Sequence, residues 1–300
     1  MSKLNAFGRP IPLLVECVES PQLHDLLHSQ LLHLLPGEPD GSTQQLAQQL
    51  FKTVQSAAND EDAAGAAQKL LEKAGARHQL RDGLVDRSER IFEQIEDHVI
   101  GPNVLDYGCG DGEVGRRLRE RCSNYKVTLC DVMDYRTRAA RSLPWRELVD
   151  GDGCMPLVDR VDSVLLLTVL HHCEDPGATL RRVMSLRPKR IVMIESVYDL
   201  SREDVFDDDW KTPDALAWIT LSHEDQFRYA CFWDWFYNKV VNSGVVVPYN
   251  FSAPDAWRDR FDTNGFEETK RVYLGIDQSL VPEFHVLQVF DTRRPGAVVS

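Results

Sequence analysis

The chain has 300 residues, 43% of them apolar and 27% charged, enough for one full hydrophobic core with further elements to spare. Its formal charge of −13 is the wrong sign for holding a phosphate backbone, and no run nears the roughly 20 apolar residues of a membrane span, so neither nucleic acid nor membrane is expected as a partner. Seven cysteines without a CxxC pair argue against a disulfide framework or zinc ribbon, and with no apolar signal core at the N-terminus the expected location is the reducing cytoplasm.

Residues 1–84 read as helices. Leu13 to Leu35 is rich in Leu and breaks at Pro36-Gly37, Ser42 with Gln45 makes a capping-box pattern ahead of Leu46, Leu50, Phe51 and Val54, and Ala63 to Ala74 is Ala-rich with one polar side. This stretch is expected as an N-terminal helical cap that offers a face for a homodimer. His24 and His28 lie one turn apart, but no acid or cysteine accompanies them and no metal site is assigned.

The second expected domain runs from 85 to 300. Asp86 to Val99 is a predicted helix with Ile91, Phe92, Ile95 and Val99 on one face. Next comes VLDYGCGDGEVG, Val104 to Gly115, in which apolar residues end on Asp106 and glycines follow at 108, 110 and 112. The pattern predicts a strand, a tight turn and a helix, with glycine supplying positive φ and room for a ligand against the backbone. The helix start adds free N–H groups. The spacing lacks the third glycine of the dinucleotide fingerprint, and an acid at 106 would repel a pyrophosphate and attract an ammonium group. Tyr125 to Cys130 is the second predicted strand and ends on Asp131. In a doubly wound sheet that position lies beside the first turn, where an acid can hold a ribose diol.

The glycine-rich stretch resembles the S-adenosylmethionine motif of class I methyltransferases. The resemblance implies an α/β fold with a doubly wound, seven-stranded, mostly parallel sheet and S-adenosyl-L-methionine as co-substrate. It places the methionine end and ribose on Asp106, Gly108, Gly110, Gly112 and Asp131, with Val132 and Met133 flanking the adenine. After a short third strand, Arg146 to Val149, Asp152 and Gly153 match the loop acid that meets the adenine amino group. Met155-Pro156-Leu157 and Asp162 match the turn into the fourth strand, Ser163 to Leu167. Leu167 and the TVLHHCEDP run after it are then the floor of the cofactor site, as in the small-molecule branch of the family. The Asn-Pro-Pro-Tyr or Asp-Pro-Pro-Tyr run of amide- and base-nitrogen methylating relatives is missing. His171 and His172 are candidate general bases, with loop packing an equal alternative.

Pro176 to Leu186 is the next predicted helix and Arg190 to Ser196 the fifth strand, with Glu195 at the carboxyl end where ligands of open sheets gather. Residues 198–245 read as a helical lid insertion over the cofactor cleft. From His223 its helix carries Phe227, Tyr229, Phe232, Trp233, Trp235, Phe236 and Tyr237 around its whole circumference, so it must be covered on more than one side. Tyr229 is a catalytic candidate, and Trp233, Tyr237 and His223 are candidate substrate residues, a ring face also suiting a sulfonium. A helix from Ser252 and strands at Phe266 to Ile276 and Phe284 to Phe290 close the fold, the last strand alternating Phe284, Val286, Gln288 and Phe290 on one face. The expected function is methylation of a small-molecule acceptor in a covered pocket. The alternatives are intramolecular cyclisation of the cofactor to azetidine-2-carboxylate with release of methylthioadenosine, and a non-catalytic S-adenosylmethionine-binding subunit.

Overall fold

The computed structural model describes residues 3–35, 41–148, 160–202, 204, 212–242, 245–276 and 281–293. Its N-terminal helices are α1 (Leu14–Glu19), α2 (Pro21–Leu34), α3 (Gly41–Ser56), α4 (Asp60–Lys73) and α5 (Ala76–Gly83), with α6 (Arg87–Ile95) leading into the sheet. There follow β1 (Asn103–Tyr107), α7 (Glu113–Arg121), β2 (Lys126–Asp131), β3 (Trp145–Glu147), β4 (Ser163–Leu167), α8 (Pro176–Ser185) and β5 (Arg190–Ser196). Then come α9 (Pro213–Trp218), α10 (His223–Trp235), a π-helical turn over Phe236–Val241, α11 (Pro254–Asp262), β6 (Phe266–Gly275) and β7 (His285–Thr292). Among the described residues no helix is long and apolar enough to cross a membrane.

The strands form one seven-stranded sheet in the order β3-β2-β1-β4-β5-β7-β6, with parallel pairing from β3 through to β5. The order reverses between β1 and β4, so the carboxyl ends of β1, β2 and β4 meet at a topological switch point, the usual ligand crevice of a doubly wound sheet. Leu105, Leu165, Val192 and Met193 have no exposed surface, in keeping with near-continuous apolar strands covered on both faces. The alternation read in the last strand does not divide core from solvent: β7 lies between β5 and β6 and is buried from His285 to Phe290. At the amino ends of the strands, Asp162 ties three of them together. It accepts from the Asn103 backbone N–H (3.0 Å) and side-chain Nδ2 (2.9 Å) and pairs with Lys189 (2.9 Å).

The chain divides into two units, one comprising residues 1–87, 196–253 and 273–285, the other residues 88–195, 254–272 and 286–300. The second unit holds most of the sheet, with α6, α7, α8 and α11. The first unites the N-terminal helices with the segment that reads in sequence as a separate lid. There α10 packs against α1 and α2, α9 against α2, and the π-helical turn against α4 and α5. Phe51 of α3 reaches Phe232 of α10, with ring centroids 6.3 Å apart. This contact pattern explains the helix that is aromatic all round: every ring from Phe227 to Tyr237 is buried, with helices from the start of the chain on one side and rings such as Tyr198, Trp218 and Phe251 on another. Apolar faces of α1 to α4 that the sequence offers to a second copy are occupied within the chain, so the homodimer expectation gains no support.

Candidate functional site

The turn between β1 and α7 is built by three glycines that differ in what surrounds them. All have positive φ: Gly108 at 74°, Gly110 at 52° and Gly112 at 74°. A Cβ on Gly108 would come within 2.7 Å of Val169 Cγ2, and one on Gly112 within 2.8 Å of Leu129 Cδ1 and 2.9 Å of Ala140 Cβ. Those two let β1 and α7 pack closely against neighbouring chain. At Gly110 a Cβ would meet nothing within 4 Å, so here the missing side chain leaves open space over the backbone.

Asp131 closes one side of that space. Its Oδ2 accepts from the Gly110 N–H (2.7 Å) and its Oδ1 from the Val132 N–H (2.7 Å), so the acid at the end of β2 fixes the middle of the glycine turn. Burial pushes its carboxyl above the ordinary range, and the backbone N–H groups oppose the shift. Beside it, Val132 and Met133 are 52% and 59% exposed, an apolar surface that a flat ring can cover. Asp106 is buried in β1, and its Oδ2 has no hydrogen-bond partner among the described residues. Burial, then the negative charges of Asp111 and Asp131, raise its carboxyl to about 7.

These residues fit S-adenosylmethionine. Open backbone at Gly110, a carboxylate beside it, an apolar ledge and a buried acid short of a cation suit a ligand with a diol, a flat base and positive charges. Asp152 and Gly153, predicted to meet the adenine, lie outside the described residues. The turn can be dissected by mutation. Gly110→Ala is expected to weaken S-adenosylmethionine binding about tenfold or more, with only the cost of a positive-φ alanine, ~1–2 kcal/mol, in stability. Gly112→Ala should lower the melting temperature more, because Leu129 and Ala140 must move. Calorimetric titration and thermal melts of both variants separate the two effects.

Ionisation adds a pH dependence. A carboxyl whose folded-state pKa lies above its unfolded value favours folding while protonated, so the share of stability due to Asp106 is present below about 4 and is lost as pH rises through about 7. A bound cation favours the ionised form. S-adenosylmethionine affinity is therefore expected to rise between pH 5.5 and 7.5, by up to about tenfold per unit below about 7. Titrations in buffers of different ionisation heat would record the linked proton release, and a flat profile would dissociate Asp106 from the ligand.

After β4, Leu167 is buried and Thr168 turns the chain at φ 58°, a left-handed value rare for a β-branched residue. A short 3₁₀ turn, Leu170–His172, follows, with His171 buried, His172 partly exposed and their ring centroids 4.0 Å apart. Glu195, at the carboxyl end of β5, is fully buried. Its Oε1 accepts from the Val169 (2.9 Å) and Leu170 (2.7 Å) N–H groups, and its Oε2 lies 2.6 Å from His171 Nδ1. This grip on the turn was not read from sequence, although an acid ending the apolar run RIVMIES signals a buried charge in need of partners.

The remaining predicted residues lie in the other unit. The Tyr229 hydroxyl is wholly buried and shared between Gln30 Oε1 (2.9 Å) and the Pro282 carbonyl, so protein acceptors already engage it. Trp233 and Tyr237 are buried one helical turn apart, and the Tyr237 hydroxyl has no hydrogen-bond partner among the described residues. His223 opens α10 on the surface and pairs with Asp199. In the same unit a buried chain runs through His285: Ser196 Oγ donates to Glu283 Oε2 and lies 3.2 Å from His285 Nε2.

Residues 60–270 match the protein family described as methyltransferase domain. Over 77 residues the chain is 34% identical to ribosomal RNA small subunit methyltransferase C of Pseudomonas fluorescens, covering 24% of this chain and 23% of that protein. Over 146 residues it is 25% identical to cephaeline 6'-O-methyltransferase of Carapichea ipecacuanha, covering 44% of this chain and 37% of the relative. The chain thus spans a quarter to just over a third of the length of these curated relatives. Among solved structures, Burkholderia thailandensis 1,6-didemethyltoxoflavin-N1-methyltransferase superposes with a TM-score of 0.45 at 14% identity, over 79% of this chain and 92% of that one. The mitomycin 7-O-methyltransferase does so with a TM-score of 0.42 at 13% identity, over 86% and 74% of the two chains.

Proposed function

We propose that this chain, which belongs to the methyltransferase-domain family and takes S-adenosylmethionine as its co-substrate, transfers the methyl group to a small-molecule acceptor. The observation that carries the reading is the acid-bounded turn after β1, open at Gly110 and fixed there by Asp131. A small acceptor is supported by the formal charge of −13, by the missing Asn-Pro-Pro-Tyr run, and by the partial match to an enzyme named for O-methylation of cephaeline.

When bound, the sulfonium supplies an already activated methyl carbon. The residues therefore have three tasks: to align the acceptor, to exclude water and to take a proton. Asp106, Gly108, Gly110, Gly112, Asp131, Val132 and Leu167 are assigned to the cofactor, with Asp152 and Gly153 beside them. His171 and His172 are assigned to proton transfer, and Trp233, Tyr237 and His223 to acceptor choice, so their substitution alters acceptor use more than cofactor affinity.

The test is mass spectrometry of the nucleoside product, first with S-adenosylmethionine alone and then with fractionated small-molecule extracts. S-adenosylhomocysteine formed only when an acceptor is present supports methyl transfer. Methylthioadenosine formed from the cofactor alone would replace it with intramolecular cyclisation to azetidine-2-carboxylate. Tight binding without either product would indicate a non-catalytic subunit.

A further inference from the structure

Helix α10 carries two kinds of polar ring. Tyr229 and Trp235 are paired inside the protein, the Tyr229 hydroxyl with Gln30 Oε1 (2.9 Å) and the Pro282 carbonyl, and Trp235 Nε1 with the Asp60 carbonyl (3.3 Å). Trp233 Nε1 and the hydroxyl of Tyr237, just past the helix end, are likewise buried but have no hydrogen-bond partner among the described residues. Neither has Nε1 of Trp218, at the end of α9. The rings follow one another, Trp218 to Tyr229 at 6.4 Å between centroids, Tyr229 to Trp233 at 6.3 Å and Trp233 to Tyr237 at 6.1 Å. Roughly nine in ten or more buried polar groups are hydrogen-bonded, because leaving one unpaired forfeits the bonds that water would supply. Three unpaired groups on one run of neighbouring rings are thus a concentration that packing alone does not account for.

The backbone at Tyr237 is unusual too. It lies in the π-helical turn Phe236–Val241, whose Lys239 and Val241 carbonyls accept from Gln68 Nε2 (2.6 Å) and Arg77 Nε (3.1 Å). Winding of this kind is rare and recurs at functional sites. The free groups also define their partner. An indole N–H can only donate. Burial, then the negative charge of Glu283, pushes the Tyr237 hydroxyl above its ordinary value, with Arg87 opposing less strongly, so it keeps a proton to offer and is no base. What such groups hold is an oxygen with lone pairs. A carboxylate would meet the charge of Glu283, which acts on Tyr229 as well, and that of Asp214.

We propose that Trp218, Trp233 and Tyr237 bind an uncharged molecule through its carbonyl or ether oxygens and reject carboxylates. A site with buried donors discriminates strongly against ligands that leave those donors unpaired. The methyl acceptor is then a neutral ketone, ester, lactone or amide, recognised at oxygens that do not themselves react. That use rests on the proposed methyl transfer, whereas the binding of an uncharged oxygen ligand does not.

The probes are acetone and acetate, which match in shape and differ in charge. Each is titrated at equal ionic strength into the full chain labelled with 15N at its tryptophan indoles, and 1H–15N spectra are recorded. The chain has six tryptophans, and Trp218→Phe and Trp233→Phe identify two of the signals. Acetone is expected to shift both saturably, and acetate neither. Tyr237→Phe keeps the ring and removes the hydroxyl, and should weaken the acetone response at Trp233 about threefold or more. Signals at Trp218 and Trp233 that ignore acetone overturn the proposal, as does an equal response to acetate or a Tyr237→Phe response equal to the native one. Should a tryptophan variant not fold, the native spectrum decides: the absence of any indole signal that follows acetone but not acetate overturns it. A failure to find any methyl acceptor would count against methyl transfer and leave the acetone result standing.

Discussion

Asp131→Ala is expected to weaken S-adenosylmethionine binding by about a hundredfold or more. Its carboxylate holds two N–H groups at 2.7 Å each, that of Gly110, where the glycine turn faces open space, and that of Val132, the residue after it. Charge-assisted bonds of this kind contribute about 1.5–3 kcal/mol each, and the loss of two leaves backbone donors unpaired and the turn free to open. About 2.8 kcal/mol already corresponds to a hundredfold in affinity. Asp131→Asn retains one acceptor oxygen and should lose less. Calorimetric titration of the two variants checks this, and an Asp131→Ala protein binding within about threefold of the native one would remove the acid from the site.

Removing residues 1–84 is expected to abolish soluble folded protein. The rings of Phe227, Phe232, Trp233, Trp235 and Phe236 are all fully buried, and Leu27, Leu31, Leu50, Phe51, Ala67 and Leu71 belong to the covering helices. Burying one large apolar side chain contributes about 1.5–3 kcal/mol, so losing several exceeds the roughly 5–15 kcal/mol by which a domain is stable. The measurements are the soluble fraction after expression and the near-ultraviolet circular dichroism of whatever remains soluble. A truncated chain that kept the aromatic signal of the full protein would show that these helices are a detachable cap after all.

What sequence could and could not reveal divides along a physical line. The β4 and β5 strands were legible to the residue because continuous runs such as SVLLL and RIVMIES are local signals with one interpretation. The glycine turn and Asp131 were legible because backbone conformation and strand order constrain them together. The three glycines nevertheless looked alike, since only packing from Val169, Leu129 and Ala140 distinguishes the two that fit against neighbours from the one that faces open space. Glu195 looked like a ligand residue from its place at a strand end, and its bonds to Val169, Leu170 and His171 depend on a turn that no periodicity predicts. The opening helices read as a separate cap for a similar reason. Their partners lie more than a hundred residues further along, as with Gln30 and Tyr229, and amphipathic patterns do not name the surface that will cover them.

The widened winding at Phe236–Val241 has a consequence for how relatives of this chain should be aligned. Gln68 Nε2 donates to the Lys239 carbonyl (2.6 Å) and Arg77 Nε to the Val241 carbonyl (3.1 Å), so two earlier helices are keyed to that particular spacing of carbonyl groups. Such a stretch holds one more residue per loop of the spiral than ordinary winding needs. Losing that residue would rotate everything after it by about 100°. A one-residue gap here would therefore carry the Lys239 and Val241 carbonyls away from Gln68 and Arg77, and homologues that differ by that gap should also differ at those two partners.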